Sequence, residues 1–435
     1  MARLLRALFA LFVFALGFMQ PGFGLLGFEA IPADLVFLPL VAAWLVALIA
    51  GRAAFRWHRV YWLLLLYFGA LAASALVSAD PPRSAAKLVT EAYLLSLTVL
   101  ASNLVRDADD LRLAARSWLA ATAVIALVAA ASLILFVAAP ASPLLDYTRF
   151  HFGTLPPGEY PRFQLTFGNA NMLCNYLTVS LALLLASAAA GWIRAPAFAL
   201  MLGGIGLSAV FTISPGLGGI ALLGATWLWL LLRARHTRAA GLALAAGIAA
   251  ALLFVGATAV TPILHPTAPF LIHVPGLGML APSGRLMVWI EAARTFVAHP
   301  LLGTGIGVDP VHVRYMDPSG NLQLLTDAHN SYLSIAAQSG LVGLAALLVL
   351  IGYALRLTLP LRLAPGNPNA VRLALGLGFA NALVYQGLGG SFEDARHLWV
   401  LLGLLLAASR IEAEGFAVDP CRTMSIGSAS AREDG

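Results

Sequence analysis

Apolar residues run along this chain in long unbroken blocks, near 5–20, 33–50, 60–78, 86–105, 113–138, 168–190, 195–212, 216–233, 239–260, 330–357, 369–390 and 396–410. Most of them reach or approach the ~17–25 residues that a helix needs to cross hydrocarbon. The blocks are continuous instead of alternating, and a spanning helix satisfies its own backbone groups. The pattern therefore predicts an all-α integral membrane protein of about twelve transmembrane helices. The first block follows Arg3 and Arg6 as a signal peptide would, but no small-x-small cleavage site closes it, so it is read as the first helix.

Two polar excursions interrupt this pattern, at about 139–167 and 261–329. The first is rich in proline and glycine (Pro140, Pro143, Pro156, Pro157, Gly158, Pro161) and reads as an irregular loop. The second enters extended through Pro262, Pro266, Pro269 and Pro275. After Ser283 and Gly284 its apolar positions Leu286, Trp289, Ile290, Ala293, Phe296 and Val297 recur at helical spacing. This predicts an amphipathic helix lying at the bilayer interface, apolar face down. The domain organisation follows: helices one to nine over 1–260, a large outer loop over 261–329, three more helices over 330–410, and a disordered tail over 411–435.

Composition removes the soluble alternative, because 60% hydrophobic and 11% charged residues, with mean hydropathy +0.87, leave too little polar surface to cover a globule. The net charge of +6 and pI of 9.6 would suit a nucleic-acid binder. The arginines instead crowd the short loops of one side (Arg52, Arg56, Arg59; Arg106, Arg112; Arg233, Arg235, Arg238), the positive-inside pattern. No nucleic acid is implied, the N-terminus faces the cytoplasm, and both long excursions lie outside. Cys174 and Cys421 fall far apart on this topology, so no disulfide framework follows.

Long outer loops escape the charge rule, which leaves Arg149, Arg162, Arg285, Arg294 and Arg314 free for a task. Arg285 stands in the first turn of the amphipathic helix, where free backbone N–H groups favour an anion and a guanidinium fork can grip phosphate in bidentate fashion. Arg162 precedes a helix start carrying Asn171 and Asn175; alone it reads as an interfacial arginine beside asparagines that cap and join helices. The run Gly303-Thr304-Gly305-Ile306-Gly307 lacks both a preceding strand and a following Lys-Ser/Thr, so it reads as a turn whose glycines take positive φ, not as a nucleotide loop. His329 closes the excursion, with Asp327 or Asn330 available to cap the next helix; there a neutral imidazole could serve as a base. The outer histidines show no His-x-x-x-His pair, so no metal is implied. Lys87 and Glu91, four residues apart, read as a structural ion pair. Glu393, Asp394 and Arg396 read equally as a salt-bridged cap or as a wall of the site.

In order and spacing these residues resemble the O-antigen ligase and polymerase superfamily of bacterial envelope enzymes. The resemblance rests on Arg162 before Gly168-Asn169-Ala170-Asn171, and on Ser283-Gly284-Arg285 with Trp289. It continues through Pro300 to Gly307, Ala328-His329-Asn330 with Tyr332 and Leu333, Gly340-x-x-Gly343, and Phe392-Glu393-Asp394 with Arg396 and Trp399. It implies a GT-C-like membrane glycosyltransferase of the Gram-negative inner membrane with its active site on the periplasmic side. The donor would be a glycan on undecaprenyl pyrophosphate, and no cofactor is implied. The Phe392 turn looks like the ligase branch, whose acceptor is lipid A-core; a polymerase or a protein O-oligosaccharyltransferase is the alternative within the superfamily, and a lipid-linked glycan transporter the alternative outside it.

Carried onto this chain, the resemblance implies His329 as general base of an inverting, metal-independent transfer and Arg285 and Arg162 on the pyrophosphate. Arg294, Asn330, Asp394 and Arg396 would stand around them. A retaining route through Asp327 or Asp394 ranks lower. Relatives often carry Ser-Arg-Gly in the turn between the seventh and eighth helices, where this chain has Ser214-Pro215-Gly216. Arg149, Arg162 or Arg294 would then have to supply that charge.

Overall fold

The computed structural model describes residues 1–25, 28–149, 161–233, 235–262, 272–274, 278–282, 284–316, 322–359, 369–387 and 395–418. The helices are α1 (Ala2–Ala15), α2 (Pro32–Ile49), α3 (Val60–Leu76), α4 (Pro81–Leu104), α5 (Ala108–Ala138), the single turn α6 (Leu145–Thr148), α7 (Ala170–Ala189), α8 (Ala195–Val210), α9 (Leu217–Leu232), α10 (Thr237–Ala259), α11 (Gly284–Ala298), α12 (Ser331–Arg356), α13 (Ala370–Gln386) and α14 (Arg396–Val418). Every one of the twelve apolar blocks is helical. Five helices, α2, α4, α5, α7 and α12, are long and apolar enough to cross a membrane, and α3, α8, α9 and residues 237–253 are shorter apolar helices.

The bundle is built around α7, which is buried along almost its whole length, with α13, α8 and α5 packed most extensively against it. Gly378 of α13 lies so close to Ala182 of α7 that a Cβ would sit 2.3 Å from the alanine methyl. Such small-residue contacts let helices pack by dispersion where water supplies no hydrophobic drive. Polar side chains turn inward: Trp118 Nε1–H donates to Ser180 Oγ at 3.0 Å, and Thr98 Oγ1–H donates to the Trp399 carbonyl at 2.8 Å. The outside is the reverse of a soluble protein, with Ile49 89%, Leu76 88% and Leu200 78% exposed. That surface is stable only against acyl chains.

Three features depart from the sequence reading. Short antiparallel strands occur in what was read as an all-α chain: β1 (Phe23–Leu25) with β2 (Phe28–Ala30); β3 (Val260–Pro262) and β4 (Ile272–Val274) flanking β5 (Gly278–Pro282); and β6 (Val313–Met316) with β7 (Leu322–Leu325). Runs of three to five residues are too short to show a two-residue period. The last helix passes Arg410 and continues to Val418, fixed by an Arg372–Glu412 ion pair at 2.9 Å, so the first part of the expected disordered tail is ordered. The amphipathic helix forms as α11 and also buries Val288 and Ala292, two positions that the predicted apolar stripe did not include. The turn carrying Glu393 and Asp394, and Cys421, lie outside the described residues.

Candidate functional site

Helix α12 is broken at Gly340, whose φ of 62° and ψ of −161° interrupt the hydrogen-bond ladder. The break would orphan backbone groups inside an apolar bundle, and the Pro300–Gly307 loop supplies their partners. Thr304 N–H donates to the Ala337 carbonyl (3.1 Å) and Gly305 N–H to that of Gln338 (3.0 Å), while Leu341 and Val342 donate back to Pro300 (2.8 Å) and Leu301 (3.2 Å). Gly303, Gly305 and Gly307 all have positive φ, and a Cβ on Gly303 would meet the Gln338 backbone at 2.2 Å. The glycine run is therefore a plug for a helix break, the turn its sequence predicted.

That plug sets the height of α11 and of the segment entering α12. Val288 and Ala292 of α11 pack with Val311, Ala328 and Ala337 in a small separate core. Arg285 lies one turn before Val288 on the same face, so burying that seam draws the guanidinium inward from the stripe edge where the sequence placed it. Asn330 is the N-cap of α12: its Oδ1 accepts from the N–H groups of Tyr332 (3.1 Å) and Leu333 (3.0 Å), and its Nδ2 donates to the Gly387 carbonyl (2.7 Å). Ser331 Oγ–H to Gln386 Oε1 (3.0 Å) and Tyr332 O–H to the Leu383 carbonyl (2.9 Å) complete the lacing of α12 to α13.

His329 stands just before this cap with φ of 48°, a left-handed conformation that costs a non-glycine residue ~1–2 kcal/mol. Asp327 holds it, Oδ1 accepting from the His329 backbone N–H at 2.9 Å and Oδ2 lying 3.1 Å from Nδ1. A neutral imidazole with its proton on Nδ1 has its lone pair on Nε2. Burial would raise the Asp327 carboxyl, but the His329 hydrogen bonds and charge, with Lys87 beyond, hold it below its ordinary value.

Arg162 lies in the 161–167 loop that precedes α7. It is buried, and its Nε–H donates to the Thr212 carbonyl at 3.2 Å, next to the tight turn at Ser214-Pro215-Gly216. Burial first, and then the neighbouring charge of Arg285, push its guanidinium down to about 10. Burial also lowers Arg285. Arg285, from a distant part of the chain, therefore stands within electrostatic reach of Arg162. Tyr385 lies within electrostatic reach of both and of Asp327, which ties the arginine pair to the Asp327–His329 pair.

The remaining candidates fall elsewhere. Arg294 is exposed and paired with Glu291 at 3.2 Å. Arg396 grips Asp34 with both arms of its fork (2.8 and 2.9 Å), and Tyr93 O–H donates to the same carboxylate. This ion pair joins α14 to α2, with Tyr93 adding α4; the local cap with Glu393 and Asp394 falls outside the described residues. Tyr385 and Lys87 were not anticipated as neighbours: a tyrosine in an apolar block and a lysine with a ready partner carry no signal of their own, and Lys87 does pair with Glu91 at 3.8 Å. Among the described residues no three His, Cys, Asp or Glu side chains cluster as metal ligands.

This is a helical membrane protein in which Arg285 lies within electrostatic reach of Arg162 and Asp327 holds His329. Residues 198–348, 151 of the chain's 435, match the family model described as O-antigen ligase. Arg285 and His329 fall within the matched stretch; Arg162 and Tyr385 fall outside it. No curated protein matches the chain.

Proposed function

We propose that the chain is a membrane glycosyltransferase that moves a glycan from undecaprenyl pyrophosphate to lipid A-core at the periplasmic face of the Gram-negative inner membrane, with twelve helices crossing the bilayer. The observation that carries the reading is the Arg162–Arg285 proximity. Like charges brought together at a buried site are costly unless an anion joins them, and a pyrophosphate at headgroup depth is the anion a polyprenyl donor brings.

In this reading His329 Nε2 removes the proton from the acceptor hydroxyl as its oxygen bonds the anomeric carbon. The bond from that carbon to the phosphate oxygen breaks with inversion, and the electron pair leaves on the pyrophosphate, where Arg285 and Arg162 stabilise it. Asp327 keeps the Nδ1 proton in place and stabilises the imidazolium formed. Arg162, beside the Pro215 turn, supplies the cation that relatives place in that turn.

The test is reconstitution of the purified protein with a polyprenyl-pyrophosphate glycan and one of three acceptors: lipid A-core, a second glycan carrier, or a pilin-type protein. Transfer to lipid A-core is the expected result. Transfer to either other acceptor reassigns the branch, and movement of the intact donor across the bilayer without transfer supports a transporter instead.

A further inference from the structure

The opposite end of the bundle holds a second built site that the His329 chemistry does not use. Helices α2 and α4 both begin at the His329 end, where Asp34 meets Arg396 and the Gly307 loop packs on Lys87. They finish beside a cavity of about 160 Å³ between the start of α1, the ends of α2 and α4 and the start of α5. That is below the roughly 300 Å³ at which organic-ligand pockets begin, and suits a single phosphate group.

Arg6, Arg52, Arg56 and Arg106 line it against one lining carboxylate, Asp110. Asp110 is consumed by the wall itself: its Oδ2 accepts from Arg106 Nε at 2.9 Å and its Oδ1 from Arg6, with Asp107 a further 3.9 Å from Arg6. Arg56 is pinned through its backbone N–H to Asn103 Oδ1 at 2.7 Å, and its Nη1 reaches only the Arg106 carbonyl, at 3.5 Å. Arg52 donates its backbone N–H to the Ala47 carbonyl at 2.8 Å, and no hydrogen bond or ion pair engages its guanidinium among the described residues. The cavity therefore presents the guanidinium charge of Arg52 and Arg56, while its one lining carboxylate is engaged by Arg6 and Arg106.

Two further observations select the source of the anion. Leu5, Phe9 and Trp44 form an apolar floor, and on the lipid-facing side of α2 Leu45 is 47% and Ile49 89% exposed, a track for acyl chains running into the arginines. Phe55, Trp57, Tyr61 and Trp62 pack against one another beside it in tilted and edge-on pairs, with centroids 5.2–6.1 Å apart. Such an aromatic girdle sits at headgroup level. We propose that this cavity is a binding site for the phosphate of an anionic phospholipid, held by Arg52 and Arg56 at the end of the bundle remote from His329.

The experiment is native mass spectrometry of the full-length protein released from detergent after exposure to phosphatidylglycerol, phosphatidylethanolamine or inorganic phosphate. One phosphatidylglycerol is expected to persist where phosphatidylethanolamine does not. Arg52→Gln with Arg56→Gln should weaken its retention by roughly fivefold per arginine, from a contribution of about 1 kcal/mol for each basic residue near an anionic surface. Arg235→Gln with Arg238→Gln, on another loop of the same end, should leave it unchanged. If the double variant does not fold, Arg52→Gln alone carries the test, since the Arg52 guanidinium bonds nothing that the fold needs. Equal retention of both lipids, retention unaffected by Arg52→Gln, or equal loss in the Arg235/Arg238 variant each overturns the site. Protection by inorganic phosphate alone, equal to that by the lipid, overturns the phospholipid assignment.

Discussion

Asp327 binds His329 twice, accepting from its backbone N–H at 2.9 Å and facing its ring Nδ1 at 3.1 Å. One contact fixes the backbone and the other the tautomer, so removing either partner has separable consequences. His329→Ala should lower glycan transfer by about 10²–10⁴-fold, the usual contribution of a placed base. Asp327→Asn, which keeps the shape but loses the charge that orients the ring, should cost on the order of 10²-fold. Both are read from single-turnover transfer rates at equal membrane protein level; a normal rate in His329→Ala removes it from the chemistry.

His329 also sits at φ 48°, a conformation that glycine adopts freely. His329→Gly is expected to be at least as heat-stable as the wild type, by about 1 kcal/mol in its favour, while inactive. Loss of stability in thermal unfolding would show that the ring, not the reaction, is what the position requires.

The Arg162–Arg285 repulsion predicts stabilisation by an anion. Inorganic pyrophosphate at a hundredfold excess over its Kd should add about 2.7 kcal/mol to the folded state, seen as a rise in Tm, and Arg162→Gln should abolish the rise. Arg285→Lys keeps the charge but loses the fork and should retain only part of it.

The pH dependence follows from the lowered Arg162 value of about 10 against an ordinary 12.5. Between those values the unfolded chain holds more protons than the folded one, so this group makes the folded form more stable as pH rises through the window; its buried charge is a cost below it. Pyrophosphate binding, which needs that charge, should weaken as pH passes about 10. Affinity unchanged to higher pH would place the anion away from Arg162.

The Arg396–Asp34 clamp predicts the opposite pattern to the histidine. With both side chains largely buried, Arg396→Ala strands the Asp34 carboxylate and should cost ~3–5 kcal/mol of stability, while transfer per folded molecule stays near normal. A selective loss of rate in folded protein would put Arg396 in the site.

The sequence by itself determined that this is a helical membrane protein, because acyl chains demand apolar blocks of spanning length and all twelve blocks are helices. It also determined that Gly303, Gly305 and Gly307 form a turn, whereas Arg162, Arg285 and His329 were singled out by their order and spacing along the chain. Only tertiary structure decided which of these meet. Arg162 is set by the packing of the 161–167 loop on Thr212, and Arg285 by the Val288–Ala292 seam, whose residues periodicity left out of the apolar stripe. Arg396 and Tyr385 exchange significance for the same reason: one finds a carboxylate on α2 and the other a place between the arginines and Asp327, and neither distance is written in local spacing. Periodicity fixes which residues can share a face of one helix; it does not fix which face of which neighbour they meet.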